Sequence, residues 1–223
     1  MQQCKIKLKD LFLVNQGVVS GCDYVSNRNI SDLDLTKDIV NGDGIFVLDL
    51  LNSRDVALYE TLSQEEKALF RPFFKNSEIG KYCCNTKNTK VLLYLDKSFT
   101  SIDKYPNIKK HLDKFEPVLM RRREAQTGAI KMFHLQWART PNIFEGPKVV
   151  LPYRAKTNAF AYNEVEWFCR SDAYVVTPKQ KDFSLKALLG ILNSTLYLYW
   201  LKKQGKLKGE ILELMREPIE QIQ

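Results

Sequence analysis

The sequence predicts an α+β fold: a twisted, mostly antiparallel sheet with flanking helices and a helical C-terminal part. Three observations carry this. Apolar runs of strand length recur at Ile45–Leu50, Val91–Leu95 and 147–152, set apart by Gly, Asn and Asp. Helix-start signals stand before apolar positions at helical spacing, at Ser63 and at Tyr105-Pro106. The stretch from Phe183 to Trp200 is apolar almost all round, as in a helix that is buried or docks on a partner. With 223 residues, 44% of them hydrophobic, the chain can bury a sizeable core. We divide it into a mixed core over 1–182 and a helical segment over 183–223.

In chain order, Lys5 to Val14 alternates as a short strand or strand-turn. Asn15 to Asp23 holds Gly17 and Gly21, four apart with Ser20 between them. Glycines let such a loop bring its N–H groups close to a phosphate, although the Gly-Lys-Ser/Thr ending of a nucleotide-binding loop is missing. Asn27 to Gly44 is polar and reads as loop. Ser63 and Glu66 form a capping box for a helix over 64–71, which Pro72 bends or ends. Ile108, Leu112, Phe115 and Leu119 share one helix face, and Pro117 predicts a break near Phe115. Arg121 to Arg123 then fall in the last turn or just past it, where cations suit the helix dipole. Strands follow at 130–137 and 147–152, and a hairpin at 164–168 and 173–176 around Arg170-Ser171-Asp172. Lys202 to Gly209 is a basic link, and Glu210 to Met215 begins a last amphipathic helix.

The charge is concentrated. Net charge is +8, and Arg121 to Asn158 alone carries eight Lys or Arg against two acids. Phe133, His134, Gln136, Trp137, Asn142, Tyr153 and Asn158 are threaded among the cations. A phosphate-rich partner needs cations for its backbone and planar or bidentate groups for its bases. A solvated basic face is the bland alternative. An anionic membrane surface ranks behind nucleic acid, and no spanning helix is expected: Leu185 to Leu201 is too short and contains Lys186, Asn193, Ser194 and Thr195.

Five cysteines without framework spacing and two histidines give neither a disulfide scaffold nor a zinc site. Reduced thiols and an N-terminus without an apolar signal core fit a cytoplasmic protein. Catalytic signatures are missing: no dinucleotide fingerprint, no Gly-x-Ser-x-Gly elbow, no His-Glu-x-x-His, no Asn/Asp-Pro-Pro-Tyr/Phe loop. Glu65-Glu66-Lys67 matches a nuclease string but lies on a predicted helix without a partner Asp. His134 reads as a satisfied strand histidine and Cys22 as inert. The chain itself is therefore expected to be non-catalytic, with no metal and no cofactor.

One succession of blocks is specific. It runs through Asn15–Gly21, Arg71–Ile79, Tyr105–Ile108, Arg121–Glu124, Ile143–Val150 and Leu188–Ser194. In this order the chain resembles the TaqI-like C-terminal specificity domain of adenine-specific DNA methyltransferases and type IIG restriction-modification enzymes. The resemblance implies the target-recognition part of a larger protein, with or without a fused endonuclease. A separate methyltransferase domain, binding S-adenosylmethionine, would be its partner together with double-stranded DNA. The 16–21 loop would approach the DNA, and the 183–223 segment would pack on the core or on the rest of the parent. From side-chain chemistry, Arg139, Arg154, Lys156 and Asn158 are assigned to base edges. Gln16, Ser20, Arg121, Arg122, Arg123 and Lys148 are assigned to the phosphate backbone, with Gly17 and Gly21 shaping the loop. The competing reading is a protein-interaction module that docks through the apolar 185–200 helix.

Overall fold

The computed structural model describes residues 6–180 and 183–222. It is a mixed α/β structure whose sheets are dominated by antiparallel pairs. The chain forms two compact units, one from 6–17, 74–87 and 139–222, the other from 18–73 and 88–138. Segment 183–222 thus belongs to the first unit, with its strands, and does not stand by itself.

The first unit is built on a four-stranded antiparallel sheet. Its order is Phe12–Gln16, Ala173–Pro178, Lys148–Pro152, Ala161–Asn163. Lys148–Pro152 is buried along its whole length, as befits an inner strand with apolar neighbours on both faces. Val149, Leu151, Tyr174, Val176, Phe12 and Val14 form one apolar cluster with Leu185, Leu189, Leu192 and Leu201 from the C-terminal helices.

Those helices correct the continuous 183–200 reading. The chain makes two, Leu185–Leu192 and Thr195–Gln204, with Ser194 capping the second through its side chain. The break is enforced by amides. Asn193 donates to the Phe160 carbonyl at 2.7 Å and accepts from its N–H at 3.1 Å. Asn158 donates to the Leu192 and Ser194 carbonyls at 2.7 and 2.9 Å. These four bonds satisfy backbone groups that a helix junction would otherwise leave orphaned in an apolar core.

Two further expectations differ. Ala173–Pro178 is a strand, but it pairs with Phe12–Gln16 and Lys148–Pro152 and not with 164–168. The predicted helix at 210–215 is instead the second strand of a hairpin, Lys206–Lys208 with Ile211–Glu213, and a short helix, Arg216–Glu220, follows.

The second unit centres on antiparallel pairing of Val47–Asp49 and Phe70–Phe74 with Lys90–Leu93. Ile45, Phe46, Val47, Leu48, Leu92 and Leu93 are completely buried. Pro117 divides the predicted helix as expected, into Pro106–Lys114 and Glu116–Leu119 on either side of Phe115. Asn27–Asp32, read as loop, is a helix opened by a Ser26/Asn29 capping box. The strand predicted at 130–137 is irregular, holding one isolated bridge from Trp137 to Val19.

The Ser63/Glu66 capping box forms, and its carboxylate does more than cap one helix. Buried Glu66 also accepts from Asn107 N at 2.8 Å, Asn107 Nδ2 at 2.9 Å and Ile108 N at 3.3 Å, at the start of Pro106–Lys114. Burial pushes its carboxyl pKa up, but the hydrogen bonds from Asn107, Ser63 and Ile108 outweigh that, so the net shift is downward. A depressed carboxyl stabilises the fold above its unfolded pKa of 4.5 and loses that contribution as pH falls through the folded value. Glu66→Ala should destabilise by roughly 2–4 kcal/mol, from a lost cap and newly unsatisfied donors. Urea unfolding at pH 7 measures this; a loss below about 0.5 kcal/mol would show that the carboxylate is not a structural joint.

Candidate nucleic-acid interface

The three consecutive arginines do three different things. Arg122 is buried. Its guanidinium donates to the carbonyls of Leu119 at 3.0 Å, Ser20 at 3.0 Å and His134 at 2.6 Å, and also to that of Met132. It lies 5.2 Å from the centroid of the Phe46 ring. Burial lowers its pKa to about 10, still charged at neutral pH. Assigned to phosphate, Arg122 is instead a clamp inside the second unit. Arg121 and Arg123 are exposed. Arg121 to Arg123 lie just past the helix Glu116–Leu119, as expected, and Arg123 also opens the next short helix, Arg123–Gln126.

The clamp shapes a concavity of about 300 Å³, lined by Gly21, Arg28, Asn29, Arg121 and Gln136 among others. Arg28 and Arg121 approach it from different segments and share one carboxylate, Asp32, at 3.2 and 3.3 Å. Hydrogen bonds from Ser31, Arg28 and Arg121 hold the Asp32 carboxyl below its usual pKa. Two guanidiniums on one carboxylate leave a net positive charge. The Arg28 side chain is 84% exposed, and an ion pair that open is weak enough for a phosphate to displace. Trp137, next in sequence to Gln136, is 52% exposed, an uncommon position for a ring of that size.

The Ser20–Gly21 loop is held from within. The Ser20 hydroxyl donates to Asp23 and accepts from Cys22 N at 3.1 Å, so it is a turn-former and not the free phosphate ligand expected. Gly21 has φ +82, and a Cβ there would come within 2.5 Å of Gln136 Oε1 and 2.7 Å of Arg122 Cδ. Glycine is required by the fold at that point. Burial raises the Cys22 thiol to about 11, which keeps it protonated. His134 accepts from Lys131 N through Nδ1 and donates from Nε2 to the Phe99 carbonyl. Burial lowers its pKa, making it the satisfied neutral histidine foreseen, although on an irregular segment and not a strand.

In the first unit, Gln16 ends a strand and donates to the Ser171 carbonyl at 2.8 Å, while Arg139 donates to Gln16 Oε1 at 3.4 Å. Arg139 adopts φ +63, a left-handed conformation that non-glycine residues rarely take. Gly17 is buried, donates to the Ala173 carbonyl at 3.0 Å, and would place a Cβ 2.2 Å from Arg170 O. It is therefore a close-packing residue and not a phosphate cradle. Arg154 pairs with Glu213 at 2.8 Å and lies 4.7 Å from the Tyr153 ring centroid; the hydrogen bond it donates to Glu213 raises its pKa. Lys156 is exposed.

Two assignments are corrected outright. Lys148 is 0% exposed, and its Nζ donates to the carbonyls of Gly146 at 2.8 Å and Val165 at 2.5 Å. Asn158, also 0% exposed, is committed to the helix junction described above. Neither can touch a ligand outside the fold.

A family model for the TaqI-like C-terminal specificity domain matches residues 71–222. The chain belongs to this family. Two solved structures share the fold. The type IIL restriction-modification enzyme MmeI, solved in complex with DNA, aligns with a TM-score of 0.60 at 14% identity. The match covers 99% of this chain and 25% of that one. The type IIG restriction endonuclease BpuSI aligns at 0.50 and 15% identity, over 97% of this chain and 23% of that one. The chain thus spans about a quarter of the length of these enzymes. No curated protein matches its sequence.

Within this specificity domain, sequence reasoning missed Arg28, because its segment was read as loop. The Ser26-x-x-Asn29 spacing was the available signal for a capped helix. The surviving exposed candidates are Gly21, Arg121, Arg123 and Lys156, with Arg154 partly covered by its ion pair.

Lys148 offers a clean check on this sorting. Burial lowers its pKa to about 8 from 10.5. The unfolded chain therefore binds more protons between these values, and stability attributable to Lys148 rises as pH goes from about 8 to 10.5. Lys148→Met should remove that rise relative to the parent chain and leave duplex affinity within about twofold. Paired unfolding curves at pH 7.5 and 10, with one binding isotherm, test both; a large loss of affinity would return Lys148 to the interface.

Proposed function

We propose that this chain is the DNA target-recognition domain of a restriction-modification enzyme whose parent is an adenine-specific DNA methyltransferase, with or without a fused endonuclease. The observation that carries the reading is the open Arg28–Arg121 concavity with Gln136 on its wall, in a chain of the specificity-domain family. Guanidiniums held by a displaceable carboxylate take phosphates, and the half-buried Gln136 amide and the exposed Trp137 ring suit base edges or sugars. On this reading the chain performs no chemistry. S-adenosylmethionine and the reacting adenine belong to a separate methyltransferase domain that, with duplex DNA, is its partner.

A second reading has its own observation. Ile191, Leu196 and Tyr199 are apolar and exposed on the two C-terminal helices, as on a surface that docks another protein. Salt separates the two. Duplex binding through phosphate contacts falls with a log–log slope of about 0.9 per contact, whereas apolar docking does not. Arg28→Ala with Arg121→Ala should make the slope shallower by about 2 and weaken binding to all sequences alike. A salt-independent affinity, or a double variant with unchanged slope, would contradict the proposal.

A further inference from the structure

The basic link near the C-terminus is an ordered β-ribbon. Lys206–Lys208 pairs antiparallel with Ile211–Glu213 across the two-residue turn Gly209-Glu210, where Gly209 has φ +62. This matches the left-handed turns that close two-residue hairpins. Arg154–Ala155 adds a third strand on the far side of Ile211–Glu213. The pairing sorts the side chains by face. Leu207 and Leu212 share one face, and Leu212 is buried in the apolar cluster of the first unit. Lys206, Lys208, Ile211, Glu213 and Arg154 share the other.

The cations of this region fall into two groups. Arg154 and Lys206 are both paired with one nearly buried carboxylate, Glu213, at 2.8 and 3.3 Å, which leaves that group with a net positive charge. Lys156, Lys202 and Lys208 are exposed and form no salt bridge with any described residue. These three border a single open cleft of about 800 Å³, with Glu210 its one acid and Leu207 and Ile211 its apolar wall. They arrive from three elements: the end of the Arg154–Ala155 strand, the last turn of the helix Thr195–Gln204, and the hairpin. Each has a local explanation in part. Lysines guard edge strands, which fits Lys208, and cations suit helix C-termini, which fits Lys202. The edge-strand explanation extends to Lys156, at the end of the outer strand Arg154–Ala155, but neither explanation makes the three converge on one cleft.

We infer that this ribbon is a second DNA contact, a lysine cradle that grips the phosphate backbone of the duplex through residues other than those that read sequence. The inference rests on the recognition reading above. Three flexible ammonium groups around an open cleft suit a polyanion with repeating phosphates, since lysine binds as a point charge without fixed geometry.

The test uses the whole chain with Lys156, Lys202 and Lys208 all changed to Gln, beside the unchanged chain and the Arg28→Ala/Arg121→Ala variant. Thermal melting confirms that these exposed substitutions leave the fold intact. Affinity for a random-sequence duplex is read at several salt concentrations. The expected result is a log–log slope shallower by about 2.7, with unchanged preference among duplex sequences. An unchanged slope in the Gln variant, with a steep slope in the parent chain, overturns the cradle and leaves recognition standing. No salt-dependent binding by the parent chain overturns both. Binding to phosphatidylserine vesicles that the Gln variant loses, with duplex binding unaffected, assigns the cleft to a membrane surface and overturns the DNA contact.

Discussion

The arrangement around the candidate interface depends on one buried guanidinium. Arg122 carries a full charge into the second unit and meets it with four backbone carbonyls, from Leu119, Ser20, Met132 and His134. Desolvating an arginine costs several kcal/mol. That cost is met only if the carbonyls stay aimed at the planar fork, so the three segments that own them are fixed relative to one another. The irregular path of 130–137 follows from this, because carbonyls turned toward Arg122 are unavailable to a strand ladder. The same clamp holds Gly21, Arg121 and Gln136 around one concavity. A buried cation, useless for contacting DNA, sets where the exposed ones stand.

The first unit solves a similar problem with neutral groups. Asn158 and Asn193 pin the Phe160 segment to the junction of two helices through four hydrogen bonds. Buried amides fully paired in this way specify a unique packing at lower electrostatic risk than a charge. Lys148 is the intermediate case, a cation held by two carbonyls at a sharp turn. The basic character of 121–158 is therefore divided. Part of it builds the fold, and part faces solvent.

That division explains what the sequence could and could not disclose. Local chemistry was legible: the Ser63/Glu66 box, the break at Pro117, the inner strand at 148–152 and the ordered blocks of the family. Arg121, Arg122 and Arg123 were indistinguishable, because a one-residue step decides which points inward and only tertiary partners fix the phase. Lys148 was misassigned because strand alternation does not say which face is covered when both are, and Asn158, outside any strand, because its partners lie 34 residues and more later in the chain. The C-terminal ribbon was hidden because Lys-Leu-Lys-Gly-Glu-Ile-Leu-Glu satisfies a helical pattern as well as a hairpin, and its third strand lies more than fifty residues earlier. Arg28 was lost when a capped helix was read as a polar loop.

Sequence-specific recognition of duplex DNA is the central claim, and the most direct measurement is selection from a randomised duplex pool by the intact chain, followed by sequencing of the bound fraction. The account predicts enrichment of one short motif, whose recovery fades when Gln136 and Trp137 are both replaced by Ala while general duplex affinity persists. Binding without any enriched motif, or enrichment indifferent to those two residues, would contradict it.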